Sequence, residues 1–230
     1  MSTKFFTKQD TNTLLNKFKG IFEHNTDIEN FDALVGYFRA SGYFKVRPFL
    51  DNVPHIRILV GIDVDKILAK YQSKGLLFQG DANQTLIEFL SEIKSDIQEA
   101  EYNQEIEEGI LQFIEDIATK KIEIKAHPSK KLHAKIYIFK PKGWNEHKSG
   151  YVITGSSNLT ENGLGGTDNF NYEFNVQLKD YDDVKFASDE FERLWIEGIS
   201  ILPVEINKVK KETFLNDDFT PFEVYIKFLI

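Results

Sequence analysis

The sequence predicts an α/β domain built on a mixed central sheet flanked by helices. Apolar runs of strand length, rich in β-branched and aromatic residues, recur at residues 31–38, 56–61, 121–126, 132–139, 151–155 and 172–178. Helical periodicity fills the intervals at 63–74, 84–101 and 105–118 and returns at 182–197. Strands and helices that alternate on this scale pack as layers, with the sheet in the middle.

The first run, FDALVGYF, leads into RASGYF, so Tyr37 and Phe38 are expected to turn aromatic rings into the core. Arg39 and Ser41 then stand at the strand's exit as candidate phosphate contacts. The second run ends in GIDVD. Asp63 there is read as the N-cap of the following helix, in preference to Asp63 and Asp65 as ligands of Mg²⁺. In the helix over 105–118, Ile106, Ile110, Phe113, Ile114 and Ile117 form one apolar stripe. The turn PSKK at 128–131 predicts a hairpin between the strands at 121–126 and 132–139. The strand at 151–155 runs into a tight loop, Gly-Ser-Ser-Asn, at 155–158. Gly163, Gly165 and Gly166 belong to a loop beside it, which could wrap a phosphate or simply be mobile.

At the end of the chain Thr220, Pro221 and Glu223 form an N-cap, a first helical residue and a capping box. The apolar residues that follow, Tyr225, Ile226, Leu229 and Ile230, continue to the last position without a stop signal. Residues 1–200 are therefore expected to form the domain. Residues 201–230 are expected to be a linker and the start of a helix leading into a further domain.

The chain has 230 residues, 41% of them hydrophobic, which is enough for a sizeable core. It contains no cysteine, which removes disulfides, thiolate nucleophiles and thiolate zinc sites. No signal peptide opens it and no run approaches the roughly 20 apolar residues a membrane helix needs. A cytoplasmic chain without a membrane partner is expected. The net charge of −8 argues against a protein that coats nucleic acid with its whole surface, but the charge is segregated. Residues 81–119 hold eleven carboxylates against one lysine, and residues 120–148 hold nine lysines against two glutamates. The basic window is either a solvated surface or a local platform for phosphates.

Within that window lies KLHAKIYIF, in which His133 and Lys135 fall two positions apart and should share a face of one strand. A phosphodiesterase that uses histidine as nucleophile needs a neutral imidazole, donors for the nonbridging oxygens, a carboxylate to orient the ring and an acid for the leaving oxygen. His133, Lys135, the loop at 155–158 and Glu173 supply candidates for these groups. Taken singly each has an ordinary reading: a core histidine, a solvated lysine, a strand-to-helix turn with a capping serine.

In this order, His-x-Lys, Gly-Ser-x-Asn and a strand-borne glutamate resemble the phospholipase D superfamily over residues 131–178. The resemblance implies that His133 forms a phosphohistidine, that Lys135 and Asn158 bind phosphate oxygens, and that Glu173 holds the far nitrogen of a histidine ring. Ser156 and Ser157 would add loop contacts to substrate. No metal or other cofactor is needed in such a mechanism. The longer family signature has an aspartate five residues after the lysine, where this chain has Lys140, and that departure favours the nuclease-like branch over the lipid-cleaving one.

The chain carries one copy of the motif, and single-copy members resemble one another in forming two-fold dimers, so a homodimer with both His133 residues across the axis is expected. A monomer using His127 as the acid is the alternative. The implied activity is a metal-independent phosphodiesterase, a DNA endonuclease ahead of an RNA one. It would be the nuclease part of a helicase-type or restriction-type protein with a C-terminal ATP-driven motor domain. The rivals are a non-catalytic DNA-binding or dimerisation module and a phospholipid phosphodiesterase.

Overall fold

The computed structural model describes residues 4–7, 12–61, 82–99, 104–128, 132–165 and 172–201. The expected helices at 63–74 and 218–230, and with them Asp63, Asp65 and Gly166, lie outside the described residues.

Eight strands form one mixed sheet: β1 (Phe5–Thr7), β2 (Ile28–Val35), β3 (His55–Val60), β4 (Glu123–Ala126), β5 (Ile136–Pro141), β6 (Tyr151–Gly155), β7 (Phe174–Leu178) and β8 (Ile199–Ser200). Their order is β1-β7-β6-β5-β2-β3-β4-β8. β2, β3 and β4 run parallel, and the remaining neighbours pair antiparallel. The helices are α1 (Leu14–His24), α2 (Ala40–Val46), α3 (Ala82–Glu99), α4 (Gln104–Ala118), the single turn α5 (Glu161–Leu164) and α6 (Tyr181–Glu197). The α/β class with a mixed sheet between helices is the one the sequence predicts.

The strand β2 is buried continuously from Phe31 to Val35, as a central strand covered on both faces must be. Phe31, Ala33 and Val35 join the larger core, which Leu14, Phe18 and Ile21 of α1 and Phe113, Ile114 and Ile117 of α4 complete. Leu34 turns to the other face and packs with Ile138, Val152 and the α6 residues Val184, Phe191 and Trp195. On that face Asp32 is fully buried and takes Nε and Nη2 of Arg57 at 2.7 and 3.0 Å, with Lys140 Nζ at 3.4 Å. A buried charge survives only when paired in this way.

Five of these elements, β1, α1, α2, α5 and β8, escaped the periodicity argument, and all but α1, which has eleven residues, are short. β1 has three residues, and α2, the helix after Arg39, has seven.

The predicted hairpin is absent. β4 and β5 are separated by β3 and β2, so the chain between them crosses the sheet instead of turning back. His127 N–H donates to Val60 O at 2.9 Å at one end of the crossing, and at the other Ile136 pairs with Leu34. The physical reason is that the hydrogen-bonding edge of β4 is taken by β8, which pairs with Lys125 and Ala126. The predicted strand at 132–139 accordingly begins at Ile136, and residues 132–135 precede the regular ladder.

Candidate active site

The crossing is what builds the site. β2 and β3 each end in Leu-Val and run into a glycine, as Leu34-Val35-Gly36 and Leu59-Val60-Gly61, and the parallel register sets the two Leu-Val pairs side by side. The backbone of Leu132 and His133 passes over both glycines. A Cβ at Gly36 would stand 2.4 Å from Leu132 O and 3.4 Å from His133 Cα, and one at Gly61 would stand 2.9 Å from Leu132 O. Only residues without a side chain let a backbone approach so closely. His133 thus lies, exposed, over the carboxyl ends of two parallel strands, where open α/β sheets keep their binding crevices.

The other motif residues gather at the same end of the sheet. Gly155 N–H donates to Lys135 O at 3.3 Å, which brings the Gly-Ser-Ser-Asn loop against the crossing. Lys135 Nζ donates to His133 O at 2.6 Å, so the ammonium sits on the backbone of the histidine. Asn158 Oδ1 accepts from Tyr37 N–H at 3.0 Å, and Tyr37 directly follows Gly36. That bond fixes the amide with its NH₂ group turned away from Tyr37, as a donor for an anion. Two consecutive residues, Gly36 and Tyr37, therefore hold the histidine segment and the asparagine.

Ser156 organises the opposite wall. Its Oγ accepts from Phe174 N–H at 3.1 Å and donates its one proton to Glu173 Oε2. Within this single chain the carboxylate of Glu173 is thus engaged by the serine. Ser157, expected to touch substrate, is instead fully buried. Its Oγ accepts from Asn175 Nδ2 at 3.0 Å and its carbonyl accepts from Tyr137 OH at 2.8 Å, so the side chain faces the core. Burial, with the charge of Glu173 nearby, holds the Tyr137 hydroxyl well above the usual phenol range.

A cleft of about 450 Å³ opens between these walls, lined by Tyr37, Arg39, Ser41, Asn158, Thr160 and Glu173, among others. Arg39 Nε donates to Tyr37 OH at 3.0 Å, and the guanidinium lies 5.5 Å from the ring centroid. Tyr37 was expected in the core but is exposed, while Phe38 is buried. Gly163 N–H donates to Thr160 Oγ1 at 2.9 Å and caps α5, so this part of the glycine-rich segment is a helical turn and not a loop. His127 is fully buried, with Nε2 3.2 Å from Glu197 Oε2. Burial keeps substrate from its ring and closes the single-chain acid role.

Gly36, Gly61 and Tyr37 were not singled out as site residues. The repeated Leu-Val-Gly at the ends of two neighbouring apolar runs was the signal that could have found the glycines.

The family model described as cardiolipin synthase, PLD-like domain, matches residues 40–195. The chain belongs to the PLD-like domain family. That places it in a superfamily of phosphodiesterases and phosphotransferases. No curated protein matches it. Among solved structures, phosphatidylserine synthase from Haemophilus influenzae Rd KW20 is similar over 98% of this chain and 43% of its own, with 13% identity and a TM-score of 0.50. At that identity the likeness shows the PLD-like fold alone, and the chain spans less than half of the synthase. Nuc, a phospholipase D family member from Salmonella typhimurium, aligns over 87% of this chain and 98% of its own, with 11% identity and a TM-score of 0.49. NucT from Helicobacter pylori aligns over 86% and 97%, with 13% identity and a TM-score of 0.43. No helix among the described residues is long and apolar enough to cross a membrane.

Proposed function

We propose that this PLD-like domain cleaves phosphodiester bonds in nucleic acid, DNA ahead of RNA, through a covalent intermediate on His133. One observation carries the reading: the 132–135 crossing lies over Gly36 and Gly61 beside the Tyr37 amide that holds Asn158, at the same end of the sheet as Glu173. A nitrogen of the His133 ring attacks phosphorus, and the P–O bond to the leaving alkoxide breaks as that oxygen takes a proton from an acid. Water then attacks the phosphohistidine, the P–N bond breaks, and the same group, now a base, accepts the proton of the water. Lys135 and the Asn158 amide would meet the negative charge that builds on the nonbridging oxygens. Glu173, steadied by Ser156, would orient an imidazole and select its tautomer.

His133 cannot serve as acid while it is bonded to phosphorus, so the proposal includes an isologous dimer in which the partner's copy of the motif supplies the second histidine. The polar lining of the cleft suits a nucleotide better than acyl chains. The decisive comparison is cleavage of plasmid and short oligonucleotides in EDTA by the wild type and by His133→Ala, with sedimentation to give the oligomeric state. Cleavage that persists in the variant would retire the phosphohistidine. DNA retarded on a gel but cut by neither protein would point to a docking module, and a monomer that cleaves would remove the second histidine.

A further inference from the structure

Beyond β2 the chain runs on as a short extended segment along the cleft. Phe38 is buried there and pairs with Leu159 in a parallel bridge, and Arg39 N–H donates to Leu159 O at 3.2 Å. Side chains alternate along extended backbone, so Tyr37 and Arg39, on either side of the buried Phe38, face the same way. Both are exposed and both line the cleft. Tyr37 also holds a donor at each of its ends. Its backbone N–H fixes the Asn158 amide, and its hydroxyl accepts from Arg39 Nε at 3.0 Å, with the guanidinium laid against the ring.

We infer that Arg39 binds a second phosphate, the neighbour of the scissile one, so that the domain favours substrates with two successive phosphates. The inference rests on the nuclease reading and names a specificity residue for it. In that reading Asn158 meets the scissile phosphate. Arg39 stands two residues of extended chain, about 7 Å, from the N–H that holds Asn158, which is comparable to one step between phosphates along a nucleic acid strand. A guanidinium presents a planar fork of donors that matches a phosphate. A base is the poorer occupant, because the guanidinium already lies over the Tyr37 ring. The rest of the lining suits an anion. Ser41 and Thr160 add hydroxyls, and the two carboxylates of the cleft are engaged, Glu173 by Ser156 and Glu161 by Lys45 at 3.7 Å. Tyr37 is then a positioning residue that ties the two phosphate contacts together.

The test uses small chromogenic diesters in EDTA: thymidine 5′-(p-nitrophenyl phosphate) and thymidine 3′-(p-nitrophenyl phosphate), each with and without a phosphate on the other hydroxyl. Release of p-nitrophenolate marks the bond that is cut, so the place of the second phosphate is known. In the wild type that phosphate is expected to lower KM by about 10- to 100-fold for one of the two isomers, with kcat little changed. The isomer that gains tells on which side of the cut Arg39 lies. Arg39→Ala should abolish the gain and Arg39→Lys should keep part of it, since an ammonium retains the charge and loses the fork. Tyr37→Phe removes the hydroxyl that positions the guanidinium and should shrink the gain through KM. Each variant is read as a ratio between its own two probes, so a general loss of folded protein cancels.

No gain in the wild type for either isomer would overturn the inference, as would a gain that survives Arg39→Ala. Calorimetric affinities for thymidine 3′,5′-bisphosphate and the two monophosphates separate this result from the nuclease reading. A protein that cleaves none of the probes, yet prefers the bisphosphate until Arg39 is replaced, would keep the subsite and retire the nuclease reading. Cleavage in EDTA without any such preference would do the reverse, and the loss of both would retire both.

Discussion

The carbonyl oxygen of Leu132 lies directly over Gly36, 2.4 Å from where a Cβ on that residue would stand. Real Cβ atoms essentially never come within 3.0 Å of a neighbour, so Gly36→Ala must push the crossing away from the end of β2. The next residue in the crossing is His133. Overpacking of this kind costs about 1–3 kcal/mol in stability, and a shift of about 1 Å at a reacting group costs about 100-fold in rate. Gly36→Ala is expected to fold, with its urea midpoint lowered, and to lose about 100-fold in turnover. Gly61→Ala, whose Cβ would stand 2.9 Å from the same oxygen, should do the same more weakly. Wild-type turnover in Gly36→Ala would mean that the histidine does not depend on this approach.

Ser156 Oγ is engaged with Glu173 in this chain. Because its Oγ already accepts from Phe174 N–H, its proton is committed to the carboxylate. Ser156→Ala should lower kcat by about 10-fold through a less well held Glu173, with KM nearly unchanged and stability within about 1 kcal/mol of wild type. Ser156→Thr keeps the hydroxyl and should restore the rate. A rise in KM with kcat intact would make Ser156 a substrate contact.

Long buried strands were legible because mostly apolar side chains fit a strand covered on both faces, as in the run from Phe31 to Val35, where Asp32 alone is charged and is paired with Arg57. Their partners were not. The turn before His133 looked local, yet whether a turn closes a hairpin or crosses a sheet depends on whether the strand edge is already occupied, and β8, which occupies it, is two residues long. His133, Lys135, Asn158 and Glu173 could be read as a set because their spacing and order resemble a family. Gly36 and Tyr37 could not, since one contributes a missing side chain and the other a backbone N–H. Ser157 misled for the opposite reason: it sits between Ser156, which holds Glu173, and Asn158, which lines the cleft, and only its partner Asn175 shows that it faces inward.

Lys140 stands where the family signature has an aspartate, and its ammonium reaches Asp32 at 3.4 Å and Ser188 Oγ at 2.8 Å. Asp32 is fully buried and also accepts two bonds from Arg57. Restoring an aspartate by Lys140→Asp would set a second carboxylate beside a buried one, so it should destabilise the fold more than Lys140→Met, which leaves the Arg57 bonds intact. Asp32→Ala leaves Arg57 with Glu192 as its remaining carboxylate and takes one from Lys140, so it should cost more than the about 1 kcal/mol of Lys140→Met. Chemical denaturation of the three variants checks the order. Equal losses would mean that Lys140, and not Arg57, keeps the buried carboxylate paired.

Arg57 also binds Glu192 of α6, with Nη2 to Oε1 at 2.6 Å and Nη1 to Oε2 at 3.1 Å. These hydrogen bonds hold the Glu192 carboxyl below its ordinary value of 4.5. A group depressed on folding adds stability above its unfolded pKa, and that stability is lost as pH falls through the folded one. Glu192 is 48% exposed, so solvent screens the pair and its contribution at neutral pH should stay below about 1 kcal/mol. Glu192→Gln should therefore be slightly less stable than wild type at neutral pH. The gap should close between about pH 5 and about pH 3 as the wild-type carboxyl takes up its proton. Urea midpoints across that range read the difference directly. A gap that widened on acidification would mean that Glu192 is held at a raised pKa, and would remove Arg57 as the group that fixes α6 to the sheet through charge.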